Sequence, residues 1–120
     1  MKTLKEITVT NAQFKEWFLN NQSKHLTERQ PRITLFLSQS RHRIVSSFLV
    51  DKGHRNGNEI HCLMSTGSII IFNENTKKFI TLLYPRVPQV LRYYKDLHQK
   101  APQLLIDKAI ENEEKGYNNM

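Results

Sequence analysis

Between Ile33 and Tyr84 short apolar runs take turns with polar segments, and this rhythm commits the chain to an antiparallel sheet. Ile33, Leu35 and Leu37 alternate with Thr34, Phe36 and Ser38. Ile44, Ser46, Phe48 and Val50 alternate with Val45, Ser47 and Leu49, and Ile60, Cys62 and Met64 with Glu59, His61 and Leu63. A period of two is the signature of strands. Ser68–Phe72 is a continuous apolar strand, and Phe79–Tyr84 is the last one, stopped by Pro85. The segments between them are turns: Ser38–His42, Asp51–Asn58 with two glycines, Thr66-Gly67 as a tight hairpin, and Asn73–Lys78. Connections this short join antiparallel neighbours.

Helices bracket the strands. Thr10 and Gln13 match a capping box, and Phe14, Trp17 and Phe18 recur on one helical face, predicting a helix over about residues 11–21. Pro88 fits the first turn of a second helix, whose apolar stripe is Val90, Leu91, Tyr94 and Leu97. Pro102 starts a third, with Leu105, Ile106, Ala109 and Ile110 inward and Gly116 as its C-cap. The expected fold is α+β: an N-terminal helix, a four- to five-stranded antiparallel β-meander and two C-terminal helices packed on the sheet, with the helices on one face. The 120 residues suit one domain, with a core over roughly residues 8–98, a C-terminal helix over roughly 102–115, and a frayed end from Tyr117.

Composition narrows the class. No apolar run approaches the ~18 residues of a membrane span, and Met1–Glu6 lacks the apolar core of a secretory signal. The single cysteine, Cys62, excludes an internal disulfide and a multi-cysteine zinc site and fits a reducing cytoplasm. The net charge is +7. Thirteen basic and five acidic residues lie between Lys24 and Lys100, whereas residues 101–120 hold two basic and four acidic. A basic body with a mildly acidic tail points to a polyanionic partner, nucleic acid above all.

The densest chemistry is Gly53-His54-Arg55-Asn56-Gly57-Asn58-Glu59-Ile60-His61. Glu59 and His61 stand two apart on a strand, so both side chains share a face. A carboxylate beside an imidazole fixes its tautomer and tunes its basicity. Three readings fit these residues: a metal site from His54, Glu59 and His61, although H-x4-E-x-H matches no established zinc spacing; a surface loop with a solvent-facing strand; and metal-independent phosphodiester cleavage. In the last, a base takes the proton of an RNA 2′-hydroxyl, an acid protonates the leaving 5′-oxygen, and cations stabilise the phosphorane. Supporting groups follow. Thr76, Lys77 and Lys78 bring a hydroxyl and two ammoniums, with Thr81 just after. Arg86 and Gln89 flank Pro88 at a helix start, where backbone amides favour phosphate, and Arg92 follows Gln89 on the same helix face. Tyr93 or Tyr94 can stack on a base or fill the core. Arg41-His42-Arg43 is a basic turn, and Cys62 sits on the apolar face as packing.

Asp51–His61, Gly67–Asn73, Thr76–Thr81 and Pro88–Tyr94 together resemble small phage and mobile-element proteins grouped with the barnase/EndoU/colicin/RelE-like nucleases, over roughly residues 30–95. That resemblance implies N-terminal helices before a four- or five-stranded antiparallel sheet, and metal-independent endoribonuclease activity of toxin type on transfer or messenger RNA. It implies a catalytic cluster on the exposed sheet face: His54, Glu59, His61, Thr76 and Arg86, with Thr81 and Arg92 beside them; His61 and His54 are expected to share the general acid/base work, with Glu59 orienting them or acting as base. Lys52, Arg55, Lys77, Lys78, Gln89 and Arg92 then bind the nucleic acid, and no metal or other cofactor is required. The two C-terminal helices are not a general feature of these nucleases, and an antitoxin or immunity protein, a second copy of the chain or a larger fusion partner is expected to dock on them. The alternative is a non-catalytic nucleic-acid-binding or protein-interaction module of a phage or mobile element, serving through the same basic surface.

Overall fold

Strand pairing organises the molecule. The computed structural model describes residues 3–20, 43–51 and 57–116. Within them β1 (Thr3–Ile7), β2 (Ile44–Asp51), β3 (Glu59–Met64), β4 (Ile69–Asn73) and β5 (Phe79–Leu83) form one antiparallel sheet in the order β1-β2-β3-β4-β5. Helix α1 (Asn11–Asn20) follows β1, and α2 (Val87–Lys95) and α3 (Gln103–Glu114) follow β5. The α+β layout with one N-terminal and two C-terminal helices stands as the sequence predicts. The strand expected over residues 33–38 lies outside the described residues. The strand that the periodicity did not reveal is β1. Its Leu4 and Ile7 are three apart and so face opposite sides, which breaks the alternation that betrays a strand.

Both faces of the sheet are covered, rather than the one expected. Phe48, Val50, Leu63, Ile69 and Ile71 form one buried cluster with Val90 and Tyr94 of α2 and Leu105 and Ala109 of α3. Ile60, Cys62, Met64, Ile70 and Phe72 form another with Val9 and Phe14, joined by Trp17 of α1. The continuous apolar run of β4 is the physical reason. A strand with Ile69 and Ile71 on one side and Ile70 and Phe72 on the other must be buried on both. On the α1 face Phe14 and Trp17 each meet the Phe72 ring edge-on at 5.6 Å. The α1 start is the reciprocal capping box: Gln13 N–H donates to Thr10 Oγ1 at 3.1 Å and Thr10 N–H to Gln13 Oε1 at 3.0 Å.

On the other face, Asn112 of α3 fixes the helices to the sheet. Buried to 5% exposure, it donates from Nδ2 to the carbonyls of Gly67 at 3.0 Å and Pro85 at 2.9 Å. It thus ties α3 to the β3–β4 turn and to the entry of α2. Gly67 takes φ +89°, and a Cβ there would stand 2.7 Å from Lys108 Cβ of α3. Glycine is therefore needed both for the turn and for the approach of the helix. Glu113 Oε1 accepts from Val87 N–H at 3.2 Å, capping an N-terminal amide of α2 from the neighbouring helix. The C-cap of α3 is Lys115, one residue before the glycine the sequence suggests; Gly116 follows it with φ +69° and its N–H on Glu113 O at 3.1 Å. No helix among the described residues is long and apolar enough to cross a membrane.

Candidate functional site

Cross-strand register builds the site one row at a time. Phe48, His61, Ile71 and Thr81 are successive partners across β2, β3, β4 and β5. Leu4, Val50 and Glu59 form the adjoining row across β1, β2 and β3. A bulge in β5 between the partners of Ile71 and Phe72 leaves Ile80 outward and 45% exposed, while Thr81 stays in the row. Helix α2 crosses above these rows. One turn of spacing brings Gln89, Arg92 and Tyr93 to its inner and lateral surface. Between helix and sheet lies a cleft of about 340 Å³. Glu59, His61, Thr81, Gln89, Arg92 and Tyr93 supply its polar groups, and aliphatic side chains of all the strands except β3 supply the rest of its wall.

The centre of the polar part is a three-residue chain of hydrogen bonds. His61 Nε2 lies 2.9 Å from Glu59 Oε1, and His61 Nδ1 lies 2.6 Å from the Tyr93 hydroxyl. Proton inventory sets the directions. An ionised carboxylate only accepts, so Nε2–H donates to Glu59. In the neutral imidazole Nδ1 then accepts from the Tyr93 hydroxyl; this tautomer is inferred from the network. Burial, reinforced by the negative charge of Glu59 and opposed by Arg92, pushes the Tyr93 phenol well above its ordinary value, so it holds its proton for donation. The Tyr93 ring also stands 5.1 Å from the Phe48 ring, which fixes the hydroxyl's position. The His61 side chain is 10% exposed and that of Glu59 20%. The carboxylate is thus more open to the cleft than the imidazole.

Glu59 and His61 do share a face, but that face lies under α2 rather than exposed. With them the cleft brings together Gln89 and Arg92 of the predicted binding residues, plus Thr81. Gln89 is oriented by its own helix cap, its Oε1 accepting from Arg86 N–H at 2.8 Å. The remaining assignments separate. Thr76 sits in the β4–β5 turn, where its N–H donates to Asn73 Oδ1 at 3.0 Å and its Oγ1 accepts from Lys78 N–H at 3.2 Å. Lys77, with φ +60°, donates from Nζ to the Glu74 carbonyl and stands 5.4 Å over the Trp17 ring, on the α1 side of the sheet. Lys78 and Arg86 are exposed and do not line the cleft. Lys52, His54 and Arg55 lie outside the described residues, as do Arg41 and His42.

The sequence does not reveal what two contributors do. Tyr93 is expected to stack on a base or fill the core, whereas its hydroxyl completes the His61 chain; its signal is the i, i+4 spacing from Gln89. Leu4 carries no signal, since β1 itself does not. Cys62 is fully buried, and burial pushes its thiol up to about 12, so it is packing and no nucleophile. Among the described residues no group of three or more His, Cys, Asp and Glu is placed to hold a metal ion. No family model, no curated protein and no solved structure matches this chain.

Proposed function

We propose that this chain is a metal-independent endoribonuclease that cleaves RNA at the polar part of the cleft. One observation carries the reading: a carboxylate paired to an imidazole converges with a guanidinium, an amide and a hydroxyl in one cleft of a basic chain. The nuclease resemblance of residues 30–95 adds to it. In this reading Glu59 is the base. The 2′-hydroxyl proton passes to its carboxylate, the 2′-oxygen bonds to phosphorus, and the 5′-oxygen departs with a proton, leaving a 2′,3′-cyclic phosphate. Arg92 faces the phosphorane oxygens, whose added charge a guanidinium binds bidentately. His61 is a positioning residue: it orients Glu59 through Nε2–H and is itself held by Tyr93. The proton for the leaving oxygen is assigned to His54 on sequence grounds alone.

The test is cleavage of total bacterial RNA by the purified chain in excess EDTA, with product ends identified. Glu59→Gln keeps an oxygen for His61 and removes the base. Its cleavage is expected to fall by about 10²–10⁴-fold, the usual worth of a general base, with an unchanged thermal midpoint. Cleavage that survives Glu59→Gln, or that stops in EDTA, sinks the assignment.

A second reading is a non-catalytic nucleic-acid-binding module. It is favoured by the enclosure of His61, which is 8% exposed and has both ring nitrogens bonded within the protein. In that case RNA is retained intact, and Glu59→Gln changes neither retention nor product.

A further inference from the structure

The outer face of the two C-terminal helices is apolar at its centre and charged at its ends. Among the described residues three large apolar side chains are exposed, and two of them, Leu91 at 47% and Ile110 at 44%, lie on α2 and α3. Hydrogen bonds at the helix ends set their relation. Asn112 and Glu113, late in α3, bond Pro85 O and Val87 N–H at the start of α2, and residues 96–102 join the other two ends. The helices therefore run antiparallel. Leu91 stands one turn beyond Val87 and Ile110 one turn before Glu113, which brings the two side chains to the same level across the seam. Val90 and Tyr94 of α2 and Leu105 and Ala109 of α3 take the inward sides, so Leu91 and Ile110 are left outward. An exposed apolar centre with a charged rim is the anatomy of a docking face.

The charges of the rim select the occupant. On α3, Ile110 has Asp107 at i−3 and Glu114 at i+4, both exposed. Asp107 is steadied by Gln103 Nε2–H at 2.9 Å, while Lys108 is turned towards Gly67 and pairs with Glu111. On α2, Lys95 follows Leu91 by one turn and Arg86 precedes the helix, both exposed. The α3 half of the face is thus acidic and the α2 half basic. We propose that this face binds a second copy of the chain, as a two-fold pair in which α2 of each copy lies over α3 of the other. A bipolar face is complementary to itself in that arrangement. Leu91 meets the partner's Ile110, Lys95 meets the partner's Asp107 and Arg86 meets the partner's Glu114, each contact occurring twice. The other two-fold arrangement, α2 on α2 and α3 on α3, sets cation on cation and anion on anion. The acidic helix is what lets a chain of net charge +7 pair with itself. Helices of 9 and 12 residues offer roughly 300–400 Å² per copy, about half of a standard interface, so the pair is weak, with a Kd on the order of 0.1 mM. Leu91 stands about 160° around α2 from Gln89 and Tyr93, so pairing leaves both clefts open. The proposal therefore stands apart from the reading of the cleft as an RNA site.

The experiment is sedimentation equilibrium of the full chain from about 10 μM to about 1 mM at low salt. The native chain is expected to pass from monomer to dimer over that range. Lys95→Glu sets like charge against the partner's Asp107 twice, and Asp107→Lys does the same against the partner's Lys95. Each variant should weaken the dimer by about tenfold or more. An equimolar mixture of the two variants restores both contacts with their signs exchanged, and should dimerise within about threefold of the native chain. Both positions are exposed, so the thermal midpoints should stay close to the native one, which separates lost pairing from lost folding. A native chain still monomeric at about 1 mM overturns the proposal and leaves the face to a different partner. Dimerisation that neither variant weakens also overturns it, because the copies then meet elsewhere. Tighter dimerisation of Lys95→Glu would show α2 packed on α2, and a mixture that stays monomeric would show that Lys95 and Asp107 do not meet; either result overturns the crossed pairing. RNA cleavage enters none of these outcomes, so the pair and the nuclease reading fail or stand separately.

Discussion

At Tyr93 a single hydroxyl decides whether His61 is held. Replacing it with hydrogen removes the 2.6 Å hydrogen bond to His61 Nδ1, a loss that costs about 1–2 kcal/mol in a buried site. Tyr93→Phe should therefore lower the thermal midpoint by roughly 4–8 °C in a domain of this size. The variant should also cleave more slowly, because Glu59 loses the fixed orientation of its imidazole partner. Alkaline pH acts through the same physics. Burial holds the Cys62 thiol at about 12, against about 8.5 for a free thiol, and raises Tyr93 and Tyr94 as well. For each group the unfolded chain gives up its proton at lower pH than the folded one does. Stability is then complete below the unfolded value and falls as pH rises. Denaturant midpoints should decline from about pH 8.5, first through Cys62 and from about pH 10 through the tyrosines. Cys62→Ala should remove the first part of that decline and Tyr93→Phe some of the second. A flat profile between pH 8.5 and 11 would contradict the buried thiol.

At the scale of elements, α3 matters because it holds α2 in place over the sheet. Asn112 makes two buried hydrogen bonds to backbone carbonyls, so Asn112→Ala loses both and leaves two carbonyls unsatisfied. The expected cost is about 2–3 kcal/mol, read by denaturant unfolding. RNA affinity should drop more than for a surface substitution, since α2 carries Gln89, Arg92 and Tyr93. A variant as stable as the native chain would show that α2 docks without this clasp. The sequence made most elements legible because their signals are local. Alternation exposed β2 and β3, a capping box fixed α1, and proline and glycine bounded α2 and α3. It concealed β1, whose only partner among the described residues is β2, more than 36 residues away, and whose few apolar residues divide between the two faces. Of the site, Glu59 and His61 were legible from their spacing along one strand, and Gln89 with Arg92 from one helical turn. Which cations belong beside them was not legible. Lys77 lies only eighteen positions from Glu59, yet the turn's backbone carries it to the opposite side of the sheet over Trp17. Proximity in sequence said nothing of which face a turn residue would take.

Across the described residues the charge is uneven, and the proposed RNA site makes use of it. The acidic residues of the tail lie on α3, where Lys108 pairs with Glu111 at 3.5 Å, while Arg86, Arg92, Lys95 and Lys100 are exposed on and around α2. A strand entering the cleft therefore meets cations first on the α2 side. Binding by such contacts releases counterions, so affinity falls with salt at a slope of about 0.7 per phosphate for single strands. Three or four contacts predict a slope of log affinity against log salt of about −2 to −3 for a short single-stranded RNA. Arg92→Ala should reduce that slope by about 0.7 and lower affinity, because it removes one phosphate contact. Lys77→Ala should leave the slope unchanged, because its ammonium is directed to Trp17 and the Glu74 carbonyl on the other side of the sheet. Filter binding of one RNA oligonucleotide at four salt concentrations measures both. Equal slopes for the native chain and Arg92→Ala would remove Arg92 from the phosphate site, and a reduced slope for Lys77→Ala would place the RNA on the α1 face instead.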